Sequence, residues 1–314
     1  MWRYVVRRIS TGIVVVFVVS VLTFAVLQWL PGDPAAIILG VNASPLALVN
    51  LRESLGLNQP WYMQYWHWLS QALTGNLGTS LIFGQPVTVL IEQRLPVTLT
   101  LTLLSLVITV MVAIPLGVVS AFYRDRAIDR IIRFIMQVFL GVPTFWIGLL
   151  LILWLSIAWR VLPVGGFPGF SAGFWPVLSS LLMPAVSLSI VEIAVLSRIM
   201  RRSMIDALDA PFMVTTKGKG LSAYRRYLRH AFRTALVVPV TIIGLSVASL
   251  LGGAVVVENV FALPGIGRLL LVAVQQKDYP LLEGLTVFIA LVVVVSSLVV
   301  DALYAVLDPR IRLR

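Results

Sequence analysis

Glu192 lies in the middle of a long apolar stretch, residues 176–197, and its position is the one that most suggests chemistry. A carboxylate in such surroundings is costly to bury and commonly serves a proton or substrate pathway. Arg198 follows six residues later, and this spacing keeps the two side chains off one helix face. Two interpretations stay open: Glu192 is a pathway or gate residue, or it anchors a neighbouring helix.

Hydroxyl groups recur along another apolar stretch, residues 97–122. They belong to Thr98, Thr102, Ser105 and Thr109. Hydroxyls are tolerated in lipid because they bond back to carbonyl groups of their own helix. The same groups can instead line a wet passage, so these four residues join Glu192 as possible pathway or gate residues.

The other reactive side chains do not form an enzyme or metal site. The chain has no cysteine and two histidines, His67 and His230, which the topology inferred below places on opposite sides of a membrane. That separation excludes a shared metal site, and it leaves Ser246 without a base for intramembrane proteolysis. Lys219 lies between two glycines with no Ser or Thr after it, so the phosphate-binding loop motif is missing. We expect no catalytic, cofactor or metal site on this chain.

The composition is that of a membrane protein. Hydrophobic residues make up 59% of the chain and charged residues 12%. Apolar runs about one bilayer long recur along it. They cover residues 9–30, 97–122, 134–158, 176–197, 234–257 and 282–307. We therefore expect an all-α polytopic membrane protein with six transmembrane helices. A net charge of +11 is typical of basic membrane loops, and no soluble basic domain is present to bind nucleic acid.

The distribution of basic residues predicts the orientation of the helices. If the N-terminus is cytoplasmic, most of the 24 Lys and Arg residues fall in cytoplasmic segments. The exceptions are Arg52, Arg94, Arg160, Arg268 and Lys277. Because Lys and Arg concentrate in cytoplasmic loops, we expect both termini in the cytoplasm.

The predicted order of segments follows from this topology. A basic leader and the first helix occupy residues 1–30, and residues 31–96 form an extracytoplasmic cap. A five-helix core covers residues 97–307 and contains a cytoplasmic coupling region at 198–233 between the fourth and fifth helices. A basic cytoplasmic tail, residues 308–314, follows.

Residues 198–233 are too polar for lipid, yet they are patterned as helices. Asp209 followed by Pro211 predicts a helix start, and Gly218 and Gly220 predict its end. A second helix is predicted to begin at Ser222. Its apolar face at 3.6-residue spacing comprises Leu221, Tyr224, Leu228, Ala231 and Ala235. A short helix, a Gly hinge and an amphipathic helix would form a firm handle on which a partner can act.

Several motifs together resemble the B-type permease subunit of dipeptide, oligopeptide and nickel ABC importers. In chain order they are Pro31-Gly32-Asp33-Pro34-Ala35, Leu55-Gly56-Leu57, Gly75-Asn76-Leu77-Gly78-Thr79-Ser80, Arg94-Leu95-Pro96, Lys219-Gly220-Leu221, Glu258 to Gly267, and Asp308-Pro309-Arg310. Each motif is weak alone, but their order and spacing over nearly the whole length are specific.

The resemblance implies a bacterial or archaeal inner-membrane subunit that takes up peptides or similar small solutes. Its expected partners are a second six-helix permease, two ATP-binding subunits that hold ATP and Mg, an extracytoplasmic solute-binding protein and membrane lipid. The ATPase activity would belong to the partners. The residues that the resemblance assigns to ATPase coupling are Asp209, Ala210, Pro211, Phe212, Val214, Thr215, Lys217, Gly218, Lys219, Gly220 and Leu221. Val214 stands where the general importer motif has Glu.

Two other functions remain possible from the sequence. A self-sufficient proton-coupled carrier would need Glu192 as its titrating group. A membrane scaffold would need no transport residues. No residue of the chain identifies the transported solute.

Overall fold

The computed structural model describes residues 2–29, 44–54 and 58–307, together with the single residues 35, 39 and 56. The predicted tail and part of the predicted cap lie outside this range. The helices are α1 (Trp2–Trp29), α2 (Pro45–Ser54), α3 (Trp61–Leu73), α4 (Val87–Phe122), α5 (Ala127–Gly141), α6 (Thr144–Leu151), α7 (Phe174–Leu208), α8 (Pro211–Gly218), α9 (Phe232–Ala235), α10 (Val237–Val260), α11 (Ile266–Gln276) and α12 (Tyr279–Leu307). Two π-helical segments, Ile152–Ala158 and Arg225–Ala231, follow α6 and precede α9.

The all-α membrane architecture predicted from the sequence is confirmed. Among the described residues, five helical segments are long and apolar enough to cross a membrane: Val6–Gln28, Val87–Phe122, Phe174–Leu208, Val237–Val260 and Tyr279–Val299. Helices suit this environment because they satisfy every backbone polar group internally. The pair Ala127–Gly141 and Thr144–Ala158 makes a sixth span if it is counted as one.

The third predicted span, residues 134–158, is broken between α5 and α6. Pro143 precedes α6, and Val142 before it has an extended backbone with φ −97° and ψ 125°. A residue before proline is driven out of the helical region by the proline ring. The helices on either side consequently meet at a bend of 103°.

Proline and glycine do not break every membrane helix of this chain. Pro115 and Gly117 are of types that commonly bend or end a helix, but α4 runs without a break from Val87 to Phe122. Helix α7 likewise continues through Pro184 and ends only at Leu208. Neighbouring helices and hydroxyl groups can satisfy the backbone carbonyl that an internal proline leaves without a donor. Helices α4 and α7 are therefore longer than the apolar runs that predicted them, residues 97–122 and 176–197.

The chain forms two compact units, the first comprising Met1–Val97 and Pro264–Leu298. Its apolar core joins the start of α4 to α11 and α12, with Val87, Leu269 and Leu285 almost fully buried. In α3, the buried Tyr65 lies 2.9 Å from the hydroxyl of Ser20 in α1. Gly284 permits close contact because a β-carbon there would lie 2.7 Å from Val87 Cγ1.

The second unit comprises Thr98–Leu263 and Val299–Arg314, and α7 is its central helix. Helices α5, α6 and α10 all pack against α7. Gly117 of α4 approaches α7 so closely that a β-carbon would lie 2.6 Å from Met200 Cβ and 2.7 Å from the Ser197 carbonyl oxygen. Small residues at helix crossings commonly allow such contact in membrane proteins.

Candidate functional site

Helix α8 is the short helix that the sequence placed in the coupling region. It begins at Pro211 and ends at Gly218, as the Pro and Gly signals predicted. Our assignment of Asp209 as its N-cap is wrong, because Ala210 holds that position and Asp209 ends α7. The Asp209 carboxylate instead accepts a hydrogen bond of 2.8 Å from Arg124 Nη1. Asp209 thus fixes the start of the segment to the loop after α4.

The two sides of α8 differ in their environment. Met213 is buried and Phe212 is half-buried, and both pack in an apolar cluster with Met200 and Met204 of α7. Val214 is 75% exposed. Thr215, Lys217, Gly218 and Lys219 are also exposed. Phe212 and Met213 therefore hold the helix on its own chain, while Val214 and the lysines face outward.

Gly220 ends the segment in a conformation that favours glycine. Its φ is +70°, a left-handed value that costs other residues steric strain. This turn lets the amide of Gly220 bond the Lys217 carbonyl at 3.0 Å and the amide of Leu221 bond the Thr216 carbonyl at 3.3 Å. The last carbonyls of α8 are satisfied in this way.

The helix that follows does not present the face we predicted. Tyr224 and Leu228 are exposed, whereas Ala231 and Ala235 are buried and Tyr227 packs against the apolar cluster. The prediction used 3.6 residues per turn, but Arg225–Ala231 is π-helical. Hydrogen bonds from i to i+5 widen each turn and rotate the following side chains away from the expected stripe.

A buried carboxylate binds an arginine of α7, the helix on which α8 packs. Asp129 of α5 is fully buried, and Arg201 of α7 donates to its two oxygens from Nε and Nη2, each at 2.7 Å. Ser120 Oγ donates to Asp129 Oδ1 at 2.5 Å, and the Asp125 amide donates to Oδ2 at 3.0 Å. Arg133 Nε lies 3.4 Å from Oδ1. This network joins α4, α5 and α7, and sequence reasoning missed it.

The predicted hydroxyl residues are all buried in the second unit. Ser105 and Thr109 donate to carbonyls of their own helix at 2.7 and 2.8 Å. Thr98 donates to Glu258 Oε1 at 2.6 Å, and Glu258 is fully buried. The hydroxyl of Thr102 has no hydrogen-bond partner among the residues that the structure describes. Back-bonding therefore accounts for two of the four residues.

Glu192 contacts a neighbouring helix. Ser246 Oγ of α10 donates a hydrogen bond of 2.6 Å to Glu192 Oε2, and both side chains are buried. The two residues are 54 positions apart, so the contact connects α7 to α10. This geometry fits the anchor interpretation of Glu192, and its role as a gate stays a prediction.

Asp278 is a further buried carboxylate, in the first unit, that we did not single out. It accepts hydrogen bonds from Ser80 Oγ at 2.5 Å and from the amides of Leu81, Ile82 and Leu281 at 3.2 to 3.3 Å. The sequence did contain a signal, because an Asp two residues before Pro280 is a typical helix start. Asp278 caps α12 and holds the loop after α3 against it.

No cluster of three or more His, Asp or Glu side chains suited to a metal occurs within the described part of the chain. The described side chains hold helices to one another and support one short exposed helix, α8, and they do not form a set of groups suited to covalent chemistry.

Two family models match the sequence. Residues 113–313 match the binding-protein-dependent transport system inner membrane component, and residues 1–102 match the N-terminal model of the same system. The chain belongs to this family.

Relatives of the transport family match along nearly the whole chain. A protein of Sinorhizobium fredii named a probable peptide ABC transporter permease is 39% identical over 98% of this chain and 99% of its own length. An oligopeptide transport system permease of Bacillus subtilis and a glutathione transport system permease of Escherichia coli are each 38% identical, over 99% of both chains.

A solved structure shares the fold of this importer family. An inward-facing form of the MetNI methionine ABC transporter matches with a TM-score of 0.56 and 15% sequence identity. The match covers 70% of this chain and 97% of the other. The predicted function as the permease subunit of an ABC importer is confirmed at that level, in preference to a self-sufficient carrier.

Proposed function

We propose that this importer permease moves peptides or similar small solutes, and that residues 209–221 receive motion from an ATP-binding subunit. Peptides are proposed because relatives of full length carry peptide and oligopeptide transport in their names. The observation that carries the coupling proposal is α8 itself. Met213 anchors this helix on its own chain, and Val214 is exposed on the surface of the protein.

The anchoring makes α8 suited to transmit force. Its inner side packs on Met200 and Met204, which belong to α7. Asp209, two residues before α8, is held to the loop after α4 by Arg124. A displacement of α8 is therefore transmitted to two long helices, α7 and α4, and is not taken up by a loop. Packed side chains behave as discrete, nearly incompressible contacts, so they carry such displacements well.

The complete importer requires further chains. We propose a second six-helix permease beside this one, two ATP-binding subunits that hold ATP and Mg, and a solute-binding protein at the extracytoplasmic cap. The cap has a surface for such contact. Trp61, Tyr62 and Trp66 of α3 are each about half exposed. Amphipathic aromatic side chains are favoured at membrane interfaces and at protein contacts alike.

The coupling proposal is tested by co-purification and peptide uptake with Val214→Arg. The new guanidinium should disrupt an apolar contact and reduce capture of the ATP-binding subunit about tenfold or more, with uptake falling in parallel. Leu73→Arg is the matched control, because Leu73 is also an exposed apolar residue, at 80%, and belongs to the proposed outer cap. Unchanged capture and uptake with Val214→Arg would contradict the proposal.

A further inference from the structure

A basic pocket lies between α5 and α7 in the second unit. Its volume is about 520 Å³. It is lined by Ser120, Arg130, Ile132, Arg133, Phe134, Met136, Gln137, Ser197, Arg198 and Arg201. Polar and apolar side chains alternate along α5, so the pocket has a charged part and a hydrophobic part. Arg130, Phe134 and Arg198 have no part in the coupling proposal, and Glu192 and the four hydroxyl residues do not line this pocket.

The pocket has more positive charge than its own acidic partner neutralises. Arg201 and Arg133 face Asp129, which is the carboxylate that binds them. Arg198 donates to a neutral acceptor, Gln137 Oε1, at 3.0 Å. Arg130 forms no ion pair with any residue that the structure describes. Four arginines therefore face one carboxylate, and Arg130 and Arg198 account for two of the three positive charges left uncompensated.

The apolar part of the pocket is exposed in a way that suits lipid. Phe134 is 70% exposed, and Ile131, on the same helix, is 58% exposed. Residues 134–158 and 176–197 are the predicted membrane runs, so the arginines sit where each run meets the polar zone. Arginine pairs readily with phosphate oxygens, and basic pockets between membrane helices suit anionic headgroups.

We propose that this pocket binds the headgroup of an anionic phospholipid. Arg130 and Arg198 would bind its phosphate, Gln137 and Ser197 would offer polar contacts, and Phe134 would lie against the acyl chain. A free phosphate ion has the same phosphate chemistry as the headgroup, but it has no acyl chain to pack against Phe134. The lipid would hold α5 to α7 from outside, next to the buried Asp129–Arg201 pair.

Native mass spectrometry of the full chain tests the proposal with phosphatidylglycerol as probe and phosphatidylcholine as its neutral counterpart. The double variant Arg130→Gln/Arg198→Gln should weaken phosphatidylglycerol binding about tenfold or more and leave phosphatidylcholine unaffected. Arg126→Gln/Arg202→Gln is the matched control. It removes the same charge four residues away in each case, from exposed residues that do not line the pocket. The control should bind within about twofold of wild type.

A second measurement does not depend on variants that must fold. A photoactivatable anionic phospholipid, added to wild-type chain in detergent, should label peptides containing residues 130–137 or 197–201.

Equal losses of phosphatidylglycerol binding in the two double variants, or no loss of binding in either, would overturn the proposal. So would competition by inorganic phosphate at the lipid's own concentration. Loss of labelling when the ATP-binding subunit is bound, with loss of that subunit in Arg130→Gln/Arg198→Gln, would identify a subunit contact instead.

Discussion

Arg201 binds both carboxylate oxygens of Asp129, each at 2.7 Å, although the residues are 72 positions apart. The bidentate pair joins the first turn of α5 to the last third of α7, and Ser120 adds a contact from α4. Planar guanidinium and carboxylate groups match in this arrangement, which fixes the angle as well as the distance between helices. The pair and Ser120 therefore fix α5 and α4 to α7, the helix on which α8 packs.

Asp129→Asn should destabilise the protein strongly. Loss of one partner leaves the partly buried Arg201 without its charge partner, at a cost of roughly 3–5 kcal/mol. Asp125→Asn is the control, because that side chain is 79% exposed beside Arg124 and should change stability by less than about 1 kcal/mol. Thermal unfolding of both variants in one detergent measures the difference. Equal unfolding midpoints would contradict the structural role of the pair.

Glu192→Gln should preserve transport. An amide oxygen can still accept the hydrogen bond from Ser246, so uptake driven by ATP should stay within about twofold of wild type. Glu192→Ala, which removes the acceptor, should lower stability by about 1–3 kcal/mol. Uptake assays with the proton gradient collapsed and ATP maintained provide the decisive comparison. Abolished uptake in Glu192→Gln, together with dependence on the gradient, would instead favour a titrating gate.

Gly220→Ala should weaken coupling, whereas Gly218→Ala should not. Gly220 has φ +70°, where a side chain costs about 1–2 kcal/mol, while Gly218 ends α8 with no atom within 4 Å of an added β-carbon. We expect peptide-stimulated ATP hydrolysis to fall severalfold in the first variant only. The assay uses the assembled importer with its binding protein. Similar activities of the two variants would show that the turn at Gly220 is not needed.

Gly117→Ala should disturb the crossing of α4 and α7. The added methyl group would meet both Met200 Cβ and the Ser197 backbone oxygen within 2.7 Å, and overpacking of this kind costs about 1–3 kcal/mol or more. Gly141→Ala serves as the control because nothing lies within 4 Å of its added β-carbon. Thermal unfolding should separate the two variants clearly. A Gly117→Ala protein as stable as wild type would mean that the helices do not cross this closely.

Hydropathy was sufficient to predict the membrane class, because a span needs a continuous apolar run that no local detail can hide. Local signals also predicted α8, since Pro at a helix start and Gly at its end act over a few residues. The start of α4 at Val87 was missed because its first ten residues, including Glu92 and Arg94, interrupt the apolar pattern. A helix can continue beyond the lipid into more polar sequence, so the end of an apolar run does not mark the end of the helix.

The contacts that support the site were beyond prediction from one sequence. Asp129 with Arg201 and Glu192 with Ser246 are pairs between distant segments, and no local spacing indicates which acidic and polar residues meet. The π-helix at Arg225–Ala231 gave a misleading signal. Its sequence has a clear 3.6-residue pattern, which predicted a buried face that the π-helical backbone does not follow. Phe212, one of the residues assigned to ATPase coupling, is half-buried against its own chain, whereas Val214 is exposed.

Site-specific crosslinking from position 214 tests the central claim most directly. The chain has no cysteine, so Val214→Cys gives it a single attachment point for a short photoactivatable crosslinker, which is attached before the importer is assembled. The account predicts a crosslink to the ATP-binding subunit from position 214 and none from Leu73→Cys in the cap. Failure of position 214 to reach the ATP-binding subunit in an importer that hydrolyses ATP and takes up peptide would contradict it.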